Sequence, residues 1–184
     1  MCRPRRRALT AAALLASAAV LLSQLQPLAQ DQGVLLSVGG QPVDVAGRLL
    51  GGGQALLRRC DGVTALTPGS PRWQAAQRSL AAYSPPASLS AAPVQVLAWG
   101  AGDEEWMLAE VRWPGPSDAP IDPAIVPLRR VNGMLQVQAA GVWSGDTGPW
   151  WPPVFIRRQL AERLPALPAA LRQCLDPQLP PFAR

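Results

Sequence analysis

The sequence predicts an α+β domain: one four-stranded antiparallel sheet made of two hairpins, with helices packed on one face. Three observations lead there. Asn132-Gly133 separates two runs of β-type residues, Ile125 to Val131 and Met134 to Ala139. A type I′ turn needs positive φ at both central residues, and Asn-Gly supplies it. A second alternating stretch, Pro93 to Trp113, folds about Gly100-Ala101-Gly102-Asp103. Helical periodicity flanks the pair, at Ser70 to Tyr83 before it and Pro153 to Leu164 after it.

The central hairpin has a defined register. A two-residue turn pairs Val131 with Met134, Arg130 with Leu135, Arg129 with Gln136 and Leu128 with Val137, then Pro127 with Gln138 and Val126 with Ala139. One face then reads Val126, Leu128, Leu135, Val137 and Ala139, with Arg130 at its edge. The other reads Arg129, Gln136, Pro127 and Gln138, closed by Val131 and Met134. An apolar face opposite a polar one is what a half-buried hairpin requires. A side chain at Gly133 is expected to meet backbone.

The remaining elements follow in order. Arg3 to Arg7 form a basic start, and Ala8 to Leu22 is an apolar run of 15 residues. A run of that length suits the core of an export signal better than a spanning helix, which needs roughly 20 residues. Pro27-Leu28-Ala29 is a poor cleavage site, so a cleaved signal peptide and a retained signal anchor both fit residues 1–30. Residues 31–53 carry seven glycines and read as a Gly-rich linker, with a short strand at Val34 to Val38. Gly51-Gly52-Gly53 lacks the Gly-Lys-Ser/Thr of a phosphate loop.

A single α+β domain is expected over 54–176. Gln54 to Cys60 reads as a helix ending near Asp61-Gly62. Ser70 can cap the next helix, with Pro71 at its first position. Trp73, Ala76, Leu80 and Tyr83 form its apolar stripe. In the second hairpin Met107, Ala109, Val111 and Trp113 share one face, while Trp106, Leu108, Glu110 and Arg112 share the other. Pro114 to Pro123 is a proline loop. Ile156, Leu160 and Leu164 face inward from the helix that Pro165 ends. Pro168 can open a last short helix through Leu175, and 177–184 reads as an irregular tail.

Composition excludes several chemistries. The chain has no His and no Lys. Ser-His-Asp and Cys-His catalysis, His-ligated metals, Schiff-base lysines and P-loop phosphate binding all need one or the other. Four of the 17 Arg lie at positions 3, 5, 6 and 7, and the other 13 face 12 Asp and Glu. The net charge of +5 is therefore a property of the signal, not of a nucleic-acid-binding face. Cys2 lies in the basic start, which leaves Cys60 and Cys174 as an even pair. In an oxidising compartment such a pair is expected to be bonded.

Other motifs carry little. Asp146-Thr147-Gly148 matches the aspartic-protease triplet, but that mechanism needs two carboxylates sharing a proton, and there is one triplet here. It reads as a turn. Asp103-Glu104-Glu105 reads as a solvated hairpin tip. Asp118 and Asp122 lack calcium-loop spacing. No catalytic group, metal ligand or cofactor site is expected.

Seven Trp stand against one Tyr. Trp143, Trp150 and Trp151 bracket the SGDTGP turn, and Pro-Trp-Trp-Pro-Pro can present a rigid aromatic surface to a partner. The competing expectation is that these rings plug the end of the sheet beneath the C-terminal helix.

In element order the domain resembles NTF2-like and cystatin-like cones, without a site motif to support the likeness. The segment Ala140 to Arg158, AGVWSGDTGPWWPPVFIRR, is similar to one in small exported cyanobacterial proteins of unknown function. That resemblance spans about the last 90 residues and implies no activity. The leading expectation is an exported, non-enzymatic domain with a binding or assembly role, in the periplasm or thylakoid lumen or anchored facing that side. A protein of the cell envelope is the expected partner, Trp150 and Trp151 the expected surface, and membrane contact is confined to residues 8–28 of an uncleaved signal. The alternative is a small-ligand-binding cone, with weak hydrolytic activity, whose pocket is lined by Arg112, Trp106 and Trp113.

Overall fold

The structure is a computed structural model that describes residues 26–30, 32–83, 87–112 and 123–177. The apolar run 8–22, Trp113 with the proline loop through 122, and the tail from 178 lie outside the described residues. Strand β1 (Gln26–Gln30), β2 (Gly33–Val38) and β3 (Gln41–Val43) form an antiparallel three-stranded sheet. Helix α1 (Val45–Leu57) follows at once. The stretch expected as a Gly-rich linker thus holds β2, β3 and the start of a helix.

The larger sheet has six strands rather than the four expected. Its order is β4 (Val63–Ala65), β5 (Ala92–Trp99), β6 (Trp106–Arg112), β7 (Ala124–Val131), β8 (Met134–Val137), and β9 (Trp143–Ser144) also pairs with β7. Strands β4 and β9 have three and two residues, too short to show alternation in sequence. Helix α2 (Pro71–Tyr83) precedes β5, while α3 (Pro152–Arg163) and α4 (Ala169–Cys174) end the fold.

Helices cover both faces of this sheet, not one. Val96, Ala98, Met107, Ala109, Val111, Ala124, Val126 and Leu128 pack with Trp73, Ala76 and Leu80 of α2. On the opposite face Leu97, Trp106, Leu108 and Ile125 pack with Ile156 and Leu160 of α3 and Leu171 and Cys174 of α4. The reason is in the strands. Both parities of β5, β6 and β7 are apolar, so both faces must be removed from water.

The central hairpin forms in the expected register from Val131–Met134 to Leu128–Val137. Leu135 and Val137 pack on the α2 side. The ladder then stops, because Ala139–Gly141 turns into a single 3-10 turn. Pro127, expected on the wet face, is buried, since Leu164 and Gly141 approach it from the α3 side. Val94 points to solvent because a bulge between Pro93 and Gln95 reverses its parity.

Glu105 joins α2 to the hairpins. It is buried, and each of its oxygens meets one guanidinium. Arg72 Nε donates to Oε1 at 2.8 Å, with Nη2 in ion-pair contact at 2.6 Å, and Arg130 Nε and Nη2 donate to Oε2 at 2.8 and 2.6 Å. Such charge-assisted bonds are roughly twice as strong as neutral ones. Asp103 accepts a bond from Gly133 N at 3.0 Å, so the two hairpin turns are tied tip to tip.

Cys60 and Cys174 are bonded, with Cα atoms 5.6 Å apart across 114 positions of sequence. The bond ties the segment after α1 to α4. The chain-entropy model assigns a closure of this length about 4–5 kcal/mol.

Asn132 and Gly133 both have positive φ, 52° and 77°, as a type I′ turn demands. A Cβ added at Gly133 meets nothing within 4 Å, so the expected clash with backbone is absent. The cost of substitution there is conformational. Gly133→Val is expected to lose about 1–3 kcal/mol of stability in urea unfolding, because a β-branched residue fits that region poorly. Gln136→Ala, on the exposed side of the same hairpin, is expected to change stability by less than about 0.5 kcal/mol.

Candidate functional site

Helix α1 is held against the fold by its glycines. Asp44 caps it: the carboxylate Oδ1 accepts Gly47 N at 2.7 Å. A Cβ at Gly47 would overlap that carboxylate. The other oxygen, Oδ2, accepts Trp151 N at 2.9 Å, at the start of α3. One turn further along α1, the indole of Trp151 lies over Gly51. A Cβ there would sit 2.5 Å from Trp151 Nε1. Arg48 stacks on the same indole, its guanidinium 4.8 Å from the Trp151 ring centre.

The three-stranded sheet is docked by the neighbouring ring. Trp150 lies 3.4 Å from where a Cβ would stand on Gly33, beside buried Leu35. Arg158 of α3 donates to Gln32 O at 2.7 Å and stacks on Trp150 at 5.9 Å. Trp150 and Trp151, the expected partner surface, are half-buried and engaged with β2 and α1.

The outer face of α1 is the reverse of an ordinary surface helix, which turns its apolar stripe inward. Gly47 and Gly51 are buried. Leu49, Leu50, Leu56 and Leu57 are exposed by 73, 57, 88 and 82%. Among the described residues, seven of the eleven exposed large hydrophobics lie between Leu28 and Leu57, so the apolar surface is concentrated in this layer.

A groove of about 660 Å³ runs between α1 and α4. Leu49, Leu50 and Leu57 line it with Arg58, Arg157 and Arg172. Arg58 reaches Asp176 at 3.4 Å. Arg157 donates to Leu175 O at 2.7 Å and to Gln54 Oε1 at 2.8 Å. Burial holds the Arg157 guanidinium below its ordinary pKa, the nearby Arg58 charge adds to that, and Asp176 opposes it. Arg is not deprotonated in proteins, so the consequence is a standing electrostatic cost.

Of the residues expected to line a cone, Trp106 and Arg112 are not brought together. Trp106 and Arg112 lie at opposite ends of β6, about 20 Å apart at strand spacing. Trp106 is buried in the α3 side of the core under the Arg129 guanidinium, 5.2 Å away. Arg112 is half-buried, 3.4 Å from fully buried Glu110. Trp113 lies outside the described residues. A second groove, of about 570 Å³ between α2 and β8, is lined by Arg78, Ser79, Tyr83 and Met134 and contains none of the three.

Asp146 accepts Gly148 N at 2.7 Å, the local bond expected of a turn. Among the described residues no three Cys, Asp or Glu side chains gather as a metal site, and no helix is long and apolar enough to cross a membrane. Comparison with family models, curated proteins and solved structures finds no match.

The contacts of α1 set two expected outcomes. Gly→Ala at an unhindered helix position gains about 0.5–1 kcal/mol, and Gly53 faces open space. Gly53→Ala is therefore expected to stabilise by that amount, while Gly51→Ala, which must displace the Trp151 ring, is expected to destabilise. Opposite signs in paired thermal melts check this; equal signs would mean that the ring does not rest there. Asp44→Ala removes a cap and leaves Trp151 N–H unsatisfied, so a loss of about 2–4 kcal/mol is expected in urea unfolding. Asp44→Asn, which keeps an acceptor, is expected to lose less.

Proposed function

We propose that this chain is an exported, non-enzymatic domain with a binding or assembly role, and that the outer face of α1 is its contact surface. The observation that carries this is the inverted helix, glycines inward and four leucines outward. A contiguous exposed apolar patch marks an interaction site in a soluble fold. Export is supported by the basic start, by the apolar run Ala8 to Leu22, and by a Cys60–Cys174 bond suited to an oxidising compartment.

A second reading is favoured by one observation. The groove between α1 and α4 combines leucines with three guanidinium groups, and so suits a small anionic ligand with an apolar part. It moves the ligand-binding alternative away from Trp106, Trp113 and Arg112.

Photo-crosslinking tests the first reading. A benzophenone side chain is placed at Leu56 of α1 or at Tyr83 of α2 in the full chain, in intact cells. Adducts are expected from position 56 and not from 83. No adduct at 56, or equal adducts at both, would overturn the assignment of α1 as the contact face.

A further inference from the structure

We infer that the leucine face of α1 seats on an anionic bilayer surface. The inference rests on α1 being the contact face and names what it contacts. At 100° per residue Leu49, Leu50, Leu56 and Leu57 fall within an arc of about 120°, with Gly47 and Gly51 on the other side. A helix with such an arc lies in the plane of a membrane interface, its apolar side among the acyl chains.

Charge selects the kind of surface. Arg58, Arg157 and Arg172 line the groove that borders this arc; Asp176 pairs with Arg58 at 3.4 Å and offsets part of the cost at Arg157. Arg157 and Arg58 repel each other where Arg157 is partly desolvated. A phosphate headgroup arriving between them relieves that repulsion, and guanidinium groups match phosphate geometry. A protein partner needs an apolar ridge and an acid at one spacing, whereas an anionic bilayer offers both at any position.

The tether fits. Ser23, Gln24 and Leu25 separate Leu22, the end of the apolar run, from β1. Four steps of chain reach at most about 14 Å. With the run held in a bilayer as a signal anchor, the layer β1–β3–α1 starts at the membrane surface.

Amide exchange on the purified full chain tests the inference. It is followed without lipid, with vesicles of phosphatidylcholine alone, and with vesicles of phosphatidylcholine and phosphatidylglycerol in equal parts. Exchange in α1 is expected to slow most on the anionic vesicles, and added salt should reduce the effect. Arg172→Gln should weaken the anionic preference about fivefold, the share of one arginine at such a surface. Leu56→Glu should abolish the protection of α1 while leaving α2 as in the parent. Leu56 is 88% exposed, so this variant is expected to fold, and an unchanged melting temperature checks that it does.

Equal exchange in α1 on both vesicle types overturns the inference. So does protection already present without lipid, which assigns the face to residues 178–184, or to a second copy if it grows with concentration. Protection by dispersed fatty acid but by neither vesicle assigns the groove to a free ligand. Protection by envelope extract cleared of lipid, and by neither vesicle, overturns the bilayer and leaves α1 as the contact face of a protein. Exchange unchanged under every condition overturns both.

Discussion

The carboxylate of Asp44 decides how the two parts of this chain meet. It is buried, and its two oxygens serve two helix starts, Gly47 N in α1 and Trp151 N ahead of α3. Both helix dipoles place partial positive charge there, so an anion is favoured from both sides. Pro152 and Pro153 carry no N–H, which leaves α3 with fewer donors to satisfy at this end. Once Asp44 holds both starts, the adjoining faces must touch, and the rest of α1 follows. Gly47 gives room to the carboxylate and Gly51 to the Trp151 ring. The glycine side goes in because nothing larger fits, and the leucine side is left outside.

The six-stranded sheet obeys a different logic. It is covered on both faces, so its stability comes from ordinary burial of Leu97, Met107, Leu108, Ile125 and Leu128 against α2 on one side and α3 and α4 on the other. The polar ties sit at the edges of these cores. Glu105, gripped by Arg72 and Arg130, fixes α2 against the end of β6 and β7. Partly buried ion pairs add modest net energy, but removing one partner leaves the others uncompensated. The Cys60–Cys174 bond fixes the opposite side, joining the chain after α1 to α4. Its effect falls on the unfolded state, by shortening the accessible chain.

What could be read in the sequence depended on whether local signals agreed with tertiary ones. Asn132-Gly133 specifies its own turn, and the alternation around it carried the register as far as Leu128–Val137. Ser70 and Pro71 announce α2, and Ser70 does cap it. The pair Cys60 and Cys174 followed from an even count. Helix α1 was hidden because Gly51, Gly52 and Gly53 each disfavour a helix by about 1 kcal/mol relative to alanine. Contacts from Trp151 and Asp44, over 100 positions away and next door respectively, override that cost. One signal was available: Asp44 stands before Val45 as an N-cap, with glycines at 47 and 51 on one side and leucines on the other. Glu105 was misread as part of a solvated tip, because its partners Arg72 and Arg130 are distant in sequence. Trp106 and Arg112 share a face of β6 but stand too far apart to share a pocket.

The glycines of α1 explain which side faces in, but they do not explain leucine on the side that faces out. Packing places no demand on Leu49, Leu50, Leu56 or Leu57, since most of each side chain is in water. Helix propensity would be met as well by Ala, Gln or Glu, which carry no penalty for exposure. The fold is therefore indifferent to leucine at these positions. Leucine there has a physical return only when an apolar surface from outside the chain covers it, at about 25 cal/mol per Å² of area removed from water. Leu49, Leu50 and Leu57 border a groove where burial and the Arg58 charge weigh on the Arg157 guanidinium, a cost that Asp176 offsets only in part. Exposed leucine and partly compensated charge meet at one edge of one helix, and a surface that is apolar beneath and anionic at its rim would answer both.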